Sequence, residues 1–269
     1  MVGTVSCVKR HPFIVAVVLA GQMAMTVFVG SASAVVHPDG NLDSWQERPE
    51  IVQVRAYTDR NGFRYFGSSC TGTLIGPSKV LTAAHCLDDS DVTGFIIVVG
   101  ADATNDGSAF DASEWAIHPD FDFNAMSSDI GLVRLSRQVE DVTPVNLPPE
   151  GDRFLDRMND NVLFGWGVDE QKRNPDSPGF ARLDDYTETA ASRLGGFDPR
   201  TMVAAGRMLP EGEFVGACSG DSGGPLLSTF AGTTFVIGVV SYGAQGCAAA
   251  APTAFTRVSA YVEWVRSTF

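Results

Sequence analysis

Two short segments hold residue types that chemistry uses and packing does not. Gly220-Asp221-Ser222-Gly223-Gly224-Pro225 sets a serine among glycines, and Leu81-Thr82-Ala83-Ala84-His85-Cys86 sets a histidine behind an apolar run. A serine hydroxyl is a weak nucleophile near neutral pH. It needs a base to take its proton and N–H donors to hold the oxyanion that forms. The glycines around Ser222 allow a tight backbone turn that leaves the hydroxyl approachable. His85 is the natural base. Neither segment follows an apolar period, so neither is explained as a core element.

Chain order separates the architectures that could use such a pair. Gly220-x-Ser222-x-Gly224 also fits the nucleophile turn of α/β-hydrolases, but those place the acid and then the histidine after the serine. No histidine follows Ser222 here. An order with the acid first, as in subtilisin, belongs to a parallel-sheet fold. What remains is histidine, acid, serine. Asp129 in Ser127-Ser128-Asp129-Ile130-Gly131-Leu132-Val133 fits the middle place, because it opens an apolar strand where a carboxylate is partly buried and needs hydrogen-bond donors.

The elements that must position these residues read as short strands. Ile51–Tyr57, Lys79–Thr82, Phe95–Val99, Ile130–Leu135, Val162–Phe164 and Phe235–Tyr242 are β-branched and apolar, with turn residues such as Asn61-Gly62, Asp106-Gly107 and Asn174–Gly179 between them. That spacing predicts an all-β sandwich or barrel rather than βα units. One helix is expected at the end, with Val258, Val262, Val265 and Phe269 on one face. Residues 169–179 read as an exposed polar loop.

The chain has 269 residues, 44% of them hydrophobic, enough for one large domain or two small ones. Lys9 and Arg10 precede an apolar run from Phe13 to Gly30 that ends in Ser31-Ala32-Ser33-Ala34. This is the pattern of a cleaved secretory signal peptide over residues 1–34, with a retained membrane anchor as the alternative. Its removal takes Lys9 and Arg10 and no acid, moving the net charge from −13 to −15. A chain so acidic repels nucleic acid and anionic membranes. The remaining cysteines are Cys70, Cys86, Cys218 and Cys247, which in an exported chain suggest two disulfides with three possible pairings. A zinc site would need a close Cys-x-x-Cys pair, and the sequence has none.

Over residues 35–269 the chain resembles the trypsin/chymotrypsin-like serine endopeptidases. Leu81–Cys86 is similar to the family's histidine motif, Asp129–Leu132 to its aspartate motif and Gly220–Pro225 to its serine motif. His118-Pro119, Leu147-Pro148, Gly165-Trp166-Gly167, Ser241-Tyr242-Gly243 and Thr256-Arg257-Val258 leading to Trp264 match in order. The resemblance implies two six-stranded antiparallel β-barrels, about residues 35–150 and 151–269, with the active site between them and a C-terminal α-helix. It pairs Cys70 with Cys86 and Cys218 with Cys247. It implies hydrolysis of peptide bonds in protein or peptide substrates by a secreted monomer, with His85, Asp129 and Ser222 as the triad. Backbone N–H groups of Gly220 and Ser222 would form the oxyanion hole. Ser241, Tyr242 and Gly243 would pair with the substrate backbone. No cofactor or metal is called for, and Asp102–Gly107, near where some relatives bind calcium, reads as a turn.

Two further expectations come from the family's pattern. Activation uses a new α-amino group that pairs with the acid before the nucleophile, here Asp221. Val35 directly follows Ala34, so signal cleavage itself would create that terminus; cleavage after Ala32 would leave a two-residue propeptide. The family's two glycines after the apolar pair are replaced by His37-Pro38. For specificity, the pocket floor is Gly216 rather than an acid, Gly243 leaves the entrance open and Thr253 occupies a wall. An uncharged, small to medium apolar residue on the acyl side of the scissile bond (P1) is expected. The alternative is a catalytically inactive family member serving as a binding module.

Overall fold

The structure is a computed structural model and describes residues 39–101, 107–153, 155–157, 161–167, 176–190, 193–243 and 250–269. The expected leader over 1–34, Val35, Cys247 and most of the 169–179 loop lie outside the described residues.

The first barrel forms from β2 (Ile51–Arg60), β3 (Phe63–Gly76), β4 (Lys79–Thr82), β5 (Gly94–Val99), β6 (Ser108–Ile117) and β7 (Gly131–Leu135). It closes in the order β2-β3-β4-β7-β6-β5 with every described pairing antiparallel. Closure pairs the strand edges that an open sheet would expose. Ile51, Leu74, Leu81, Ile97 and Leu132 fill its interior, each at most 1% exposed. Asn61 and Gly62 join β2 to β3 with φ of 53° and 79°, the left-handed pair that matches strand twist in a two-residue hairpin.

The second barrel is ringed by β8 (Asn161–Gly165), β9 (Gly179–Asp185), β10 (Met202–Met208), β12 (Pro225–Phe230), β13 (Thr233–Tyr242) and β14 (Thr253–Arg257), with the β9–β10 pairing closing it. Two short strands extend its edges: β1 (Gly40–Asn41) lies beside β9, and β11 (Phe214–Val215) beside β10. Leu163, Leu183, Leu226 and Phe255 are its buried centre. Arg257 and Asp156 form a buried ion pair there, and Arg257 Nη2 also donates to the Met202 carbonyl at 2.7 Å. A short helix, α1 (Thr187–Ala190), follows β9.

The expected terminal helix is shorter than its apolar spacing suggested. A 3₁₀ turn, Val258–Ala260, comes first, Tyr261 interrupts it, and α2 (Val262–Ser267) follows. Val258, Val262 and Val265 are fully buried, while Phe269 lies beyond the helix. Lys79 Nζ donates to the carbonyls of Val265 (3.2 Å) and Thr268 (2.7 Å), so a cation on the first barrel satisfies the end of a helix that follows the second. Among the described residues no helix is long and apolar enough to cross a membrane.

Candidate active site

His85 sits in a single 3₁₀ turn, Ala84–Cys86, directly after β4. A disulfide between Cys86 and Cys70 of β3 ties that turn to the neighbouring strand. Asp129 lies just before β7, after Ser128, whose φ is 50°. Its side chain is fully buried, and three donors surround it. His85 N–H reaches Oδ1 at 2.9 Å, His85 Nδ1 reaches Oδ2 at 2.8 Å, and Ser241 Oγ donates to Oδ2 at 2.6 Å. The Thr256 hydroxyl donates to the Asp129 carbonyl at 2.7 Å. With Nδ1 as donor to the carboxylate, the neutral ring carries its free lone pair on Nε2, the atom a base needs.

Ser222 follows β11 and precedes β12, in a loop folded onto β3 and β4. The Thr71 N–H donates to the Ser222 carbonyl at 2.8 Å, and the Gly223 N–H to the Val240 carbonyl at 2.9 Å. Gly223 has φ 79°, and a Cβ there would collide with Thr82 and the Thr71 carbonyl. Only glycine lets the loop approach so closely, two residues from the turn that begins at Ala84. Ser222 Oγ makes no hydrogen bond to a described residue, His85 Nε2 included, and Nε2 lies 3.8 Å from Cys86 Sγ. Such catalytic contacts are often open without substrate. Neither the Gly220 nor the Ser222 N–H donates to another described residue, and Gly220 has φ 92°.

Asp221 is fully buried. It accepts from the N–H groups of Cys218 (2.7 Å) and Gly167 (3.0 Å). Burial nevertheless pushes its carboxyl up from 3.8 to about 8, against those two donors. Its expected partner Val35 lies outside the described residues. Cys218 is disulfide-bonded, and Cys247 lies outside the described residues. Among the described residues, the one cluster with metal-ligand spacing is Cys70, His85 and Cys86. Both sulfurs are locked in the disulfide, which leaves no thiolate to bind a metal.

Around the expected specificity pocket, the Thr253 hydroxyl accepts from the Ala217 N–H at 3.0 Å, and a Cβ on Gly216 would lie 2.6 Å from it. The two residues therefore face one another across a narrow gap. A Cβ on Gly243 would meet nothing within 4 Å. The Tyr242 hydroxyl donates to the Gly195 carbonyl at 3.0 Å, and burial pushes its pKa up.

Sequence reasoning reserved Ser241 for substrate pairing and did not connect its hydroxyl to Asp129. It matched Thr256 as part of a motif without connecting its hydroxyl to Asp129, and it did not single out Thr71. Hydroxyls at alternating strand positions are common, and their partners here stand 112, 127 and 149 residues away, so no local signal marks them.

Comparison with known proteins places the fold in a family. The family model Trypsin matches residues 46–265. Human chymotrypsin-like elastase family member 3A is 34% identical over 257 residues, covering 88% of this chain and 90% of the relative. Trypsin-1 of Astacus astacus is 31% identical over 216 residues, covering 74% and 86%. The solved structure of GrC superposes with a TM-score of 0.69 at 25% identity, covering 86% of this chain and 97% of that one. The chain is a serine endopeptidase belonging to the trypsin family.

Proposed function

We propose that this enzyme cleaves peptide bonds through Ser222, with His85 as base and Asp129 as the group that orients it. The observation that carries the reading is the buried Asp129 carboxylate bridging His85 and Ser241. Ser222 Oγ attacks the scissile carbonyl while His85 Nε2 takes its proton and then gives it to the leaving amine. Asp129 holds the Nδ1–H tautomer and stabilises the imidazolium. The N–H groups of Gly220 and Ser222 receive the oxyanion, a contribution of about 3–4 kcal/mol per donor where one has been removed. Water then hydrolyses the acyl-enzyme with His85 as base again. The backbone of Ser241, Tyr242 and Gly243 holds the substrate as an added strand.

Gly216 at the floor and Thr253 on the wall favour an uncharged, small to medium apolar P1 residue, since a glycine floor supplies no acid and the threonine narrows the pocket. Activation follows from Val35 pairing with Asp221 once residues 1–34 are removed during secretion. The two N–H donors already on Asp221 leave its burial uncompensated, which is the demand a cation would meet.

The open Ser222–His85 contact favours one other reading, an inactive binding module. A fluorophosphonate probe decides between them. Covalent labelling that disappears in Ser222→Ala supports the enzyme, and no labelling of the secreted protein would sink it. Peptide p-nitroanilides varied at P1 then test the pocket; a strong preference for Arg or Lys contradicts the assignment of Gly216 and Thr253.

A further inference from the structure

We infer that the Thr71 hydroxyl is a positioning group for catalysis, pinning the oxyanion loop to the first barrel. The inference rests on the proposed roles of Gly220 and Ser222. Thr71 is fully buried on β3, and each of its polar atoms is engaged. Its N–H donates to the Ser222 carbonyl at 2.8 Å. Its carbonyl accepts from Thr82 Oγ1 at 2.9 Å. Its hydroxyl donates to the Gly220 carbonyl at 2.9 Å and accepts from the Trp166 N–H at 2.9 Å. One residue of the first barrel thus holds both members of the oxyanion pair, Ser222 through the main chain and Gly220 through the side chain.

The hydroxyl closes a ring. From Thr71 the path runs to the Gly220 carbonyl, along the chain to Asp221, through its carboxylate to the Gly167 N–H, along the chain to Trp166 and back to Thr71. The Asp221 N–H is itself held by the Cys218 carbonyl at 3.1 Å. With the peptide after Gly220 fixed at its carbonyl and its N–H, the direction of the Gly220 N–H depends on that residue's own two torsions, φ being 92°, and glycine leaves both soft. Removing the hydroxyl frees the Gly220 carbonyl and leaves the Trp166 N–H unpaired in a dry site, so the loop would turn to satisfy them elsewhere. The misdirected N–H matters most when the oxyanion exists, which places the effect in the transition state rather than in substrate binding.

Thr71→Val keeps the shape and deletes the hydroxyl; Thr71→Ser keeps the hydroxyl and loses the methyl that faces Gly224. In the mature enzyme Thr71→Val is expected to lower kcat about ten- to a hundredfold, less than the loss of a direct donor, with KM within about twofold. A peptide aldehyde, whose hemiacetal oxygen occupies the oxyanion site, is expected to bind more weakly by the same factor as kcat. Thr71→Ser is expected to recover most of the activity, and the acid limb of the pH–kcat profile should stay in place because His85 is untouched. Thr71→Ala, free of the valine's extra methyl, provides the same readouts if the valine variant does not fold. Rates are normalised to folded protein by circular dichroism. Unchanged kcat and aldehyde affinity in a folded variant, a loss confined to KM, or a serine variant as impaired as valine would each overturn the role of Thr71 alone. A wild-type enzyme with no turnover and no fluorophosphonate labelling overturns the reading of the site, and this inference with it.

Discussion

Burying a carboxylate is costly unless donors surround it. Asp129 has three on its side chain, and two of them come from one residue, His85. The third, the Ser241 hydroxyl, comes from β13 of the other barrel. It shares Oδ2 with the imidazole, so its removal would alter how that oxygen holds the ring. Ser241→Ala is expected to lower kcat about tenfold, in line with a lost hydrogen bond to a charged group of about 1.5 kcal/mol. Asp129→Asn, which inverts the tautomer, is expected to cost about ten-thousandfold in kcat with a folded protein. An asparagine variant of near-normal rate would show that the histidine is oriented by something else.

At the scale of elements, the proposed base His85 rides on a single turn whose Ala84 and Cys86 are buried, and the Cys70–Cys86 disulfide ties that turn covalently to β3. The cross-link spans a sequence separation of 16, which in the chain-entropy picture stabilises the fold by about 3 kcal/mol. Replacing both cysteines by alanine should lower the midpoint of denaturant unfolding by a corresponding amount, measured on a Ser222→Ala background to prevent self-cleavage. It should also reduce kcat in the active protein through looser placement of His85. A midpoint unchanged within error would mean that the barrel, not the cross-link, holds the turn. Several strands were legible as runs: Lys79–Thr82 is β4 as read, and Ile51–Tyr57 and Phe235–Tyr242 are the cores of longer strands. β3 was not among them. Its first seven residues are exposed, and pairing with β2, rather than an apolar period, keeps them extended. The terminal helix was overread because Val258 shares the buried face while belonging to a separate 3₁₀ turn.

At the scale of the whole molecule, Asp221 links ionisation to stability. Its carboxyl titrates at about 8 when folded, above its ordinary 3.8. The folded state therefore keeps a proton that the unfolded chain has lost, and the stabilisation present below about pH 4 is lost as pH rises towards 8. An ammonium group beside it removes this loss by favouring the carboxylate, and the alkaline decline then follows the amine. Two forms of Ser222→Ala test this, one with Val35 as its free terminus and one still carrying residues 33–34. Melting temperatures from pH 4 to 9 should fall continuously for the extended form. For the form beginning at Val35 they should stay level until the amine titrates. Identical curves would refute the pairing of Val35 with Asp221.

The order of histidine, aspartate and serine, the glycines that make Ser222 approachable and the β-rich pattern are local properties, and the sequence alone determined them. Glycine and β-branched residues restrict the backbone wherever they stand, and motif order survives any folding. The hydrogen-bond network around these residues was decided only in three dimensions. Ser241, Thr256 and Thr71 are ordinary strand hydroxyls until two barrels close, and their partners lie more than a hundred residues away. A hydroxyl carries no sequence mark of the atom it will meet, because that meeting is set by strand register and by how the two barrels pack.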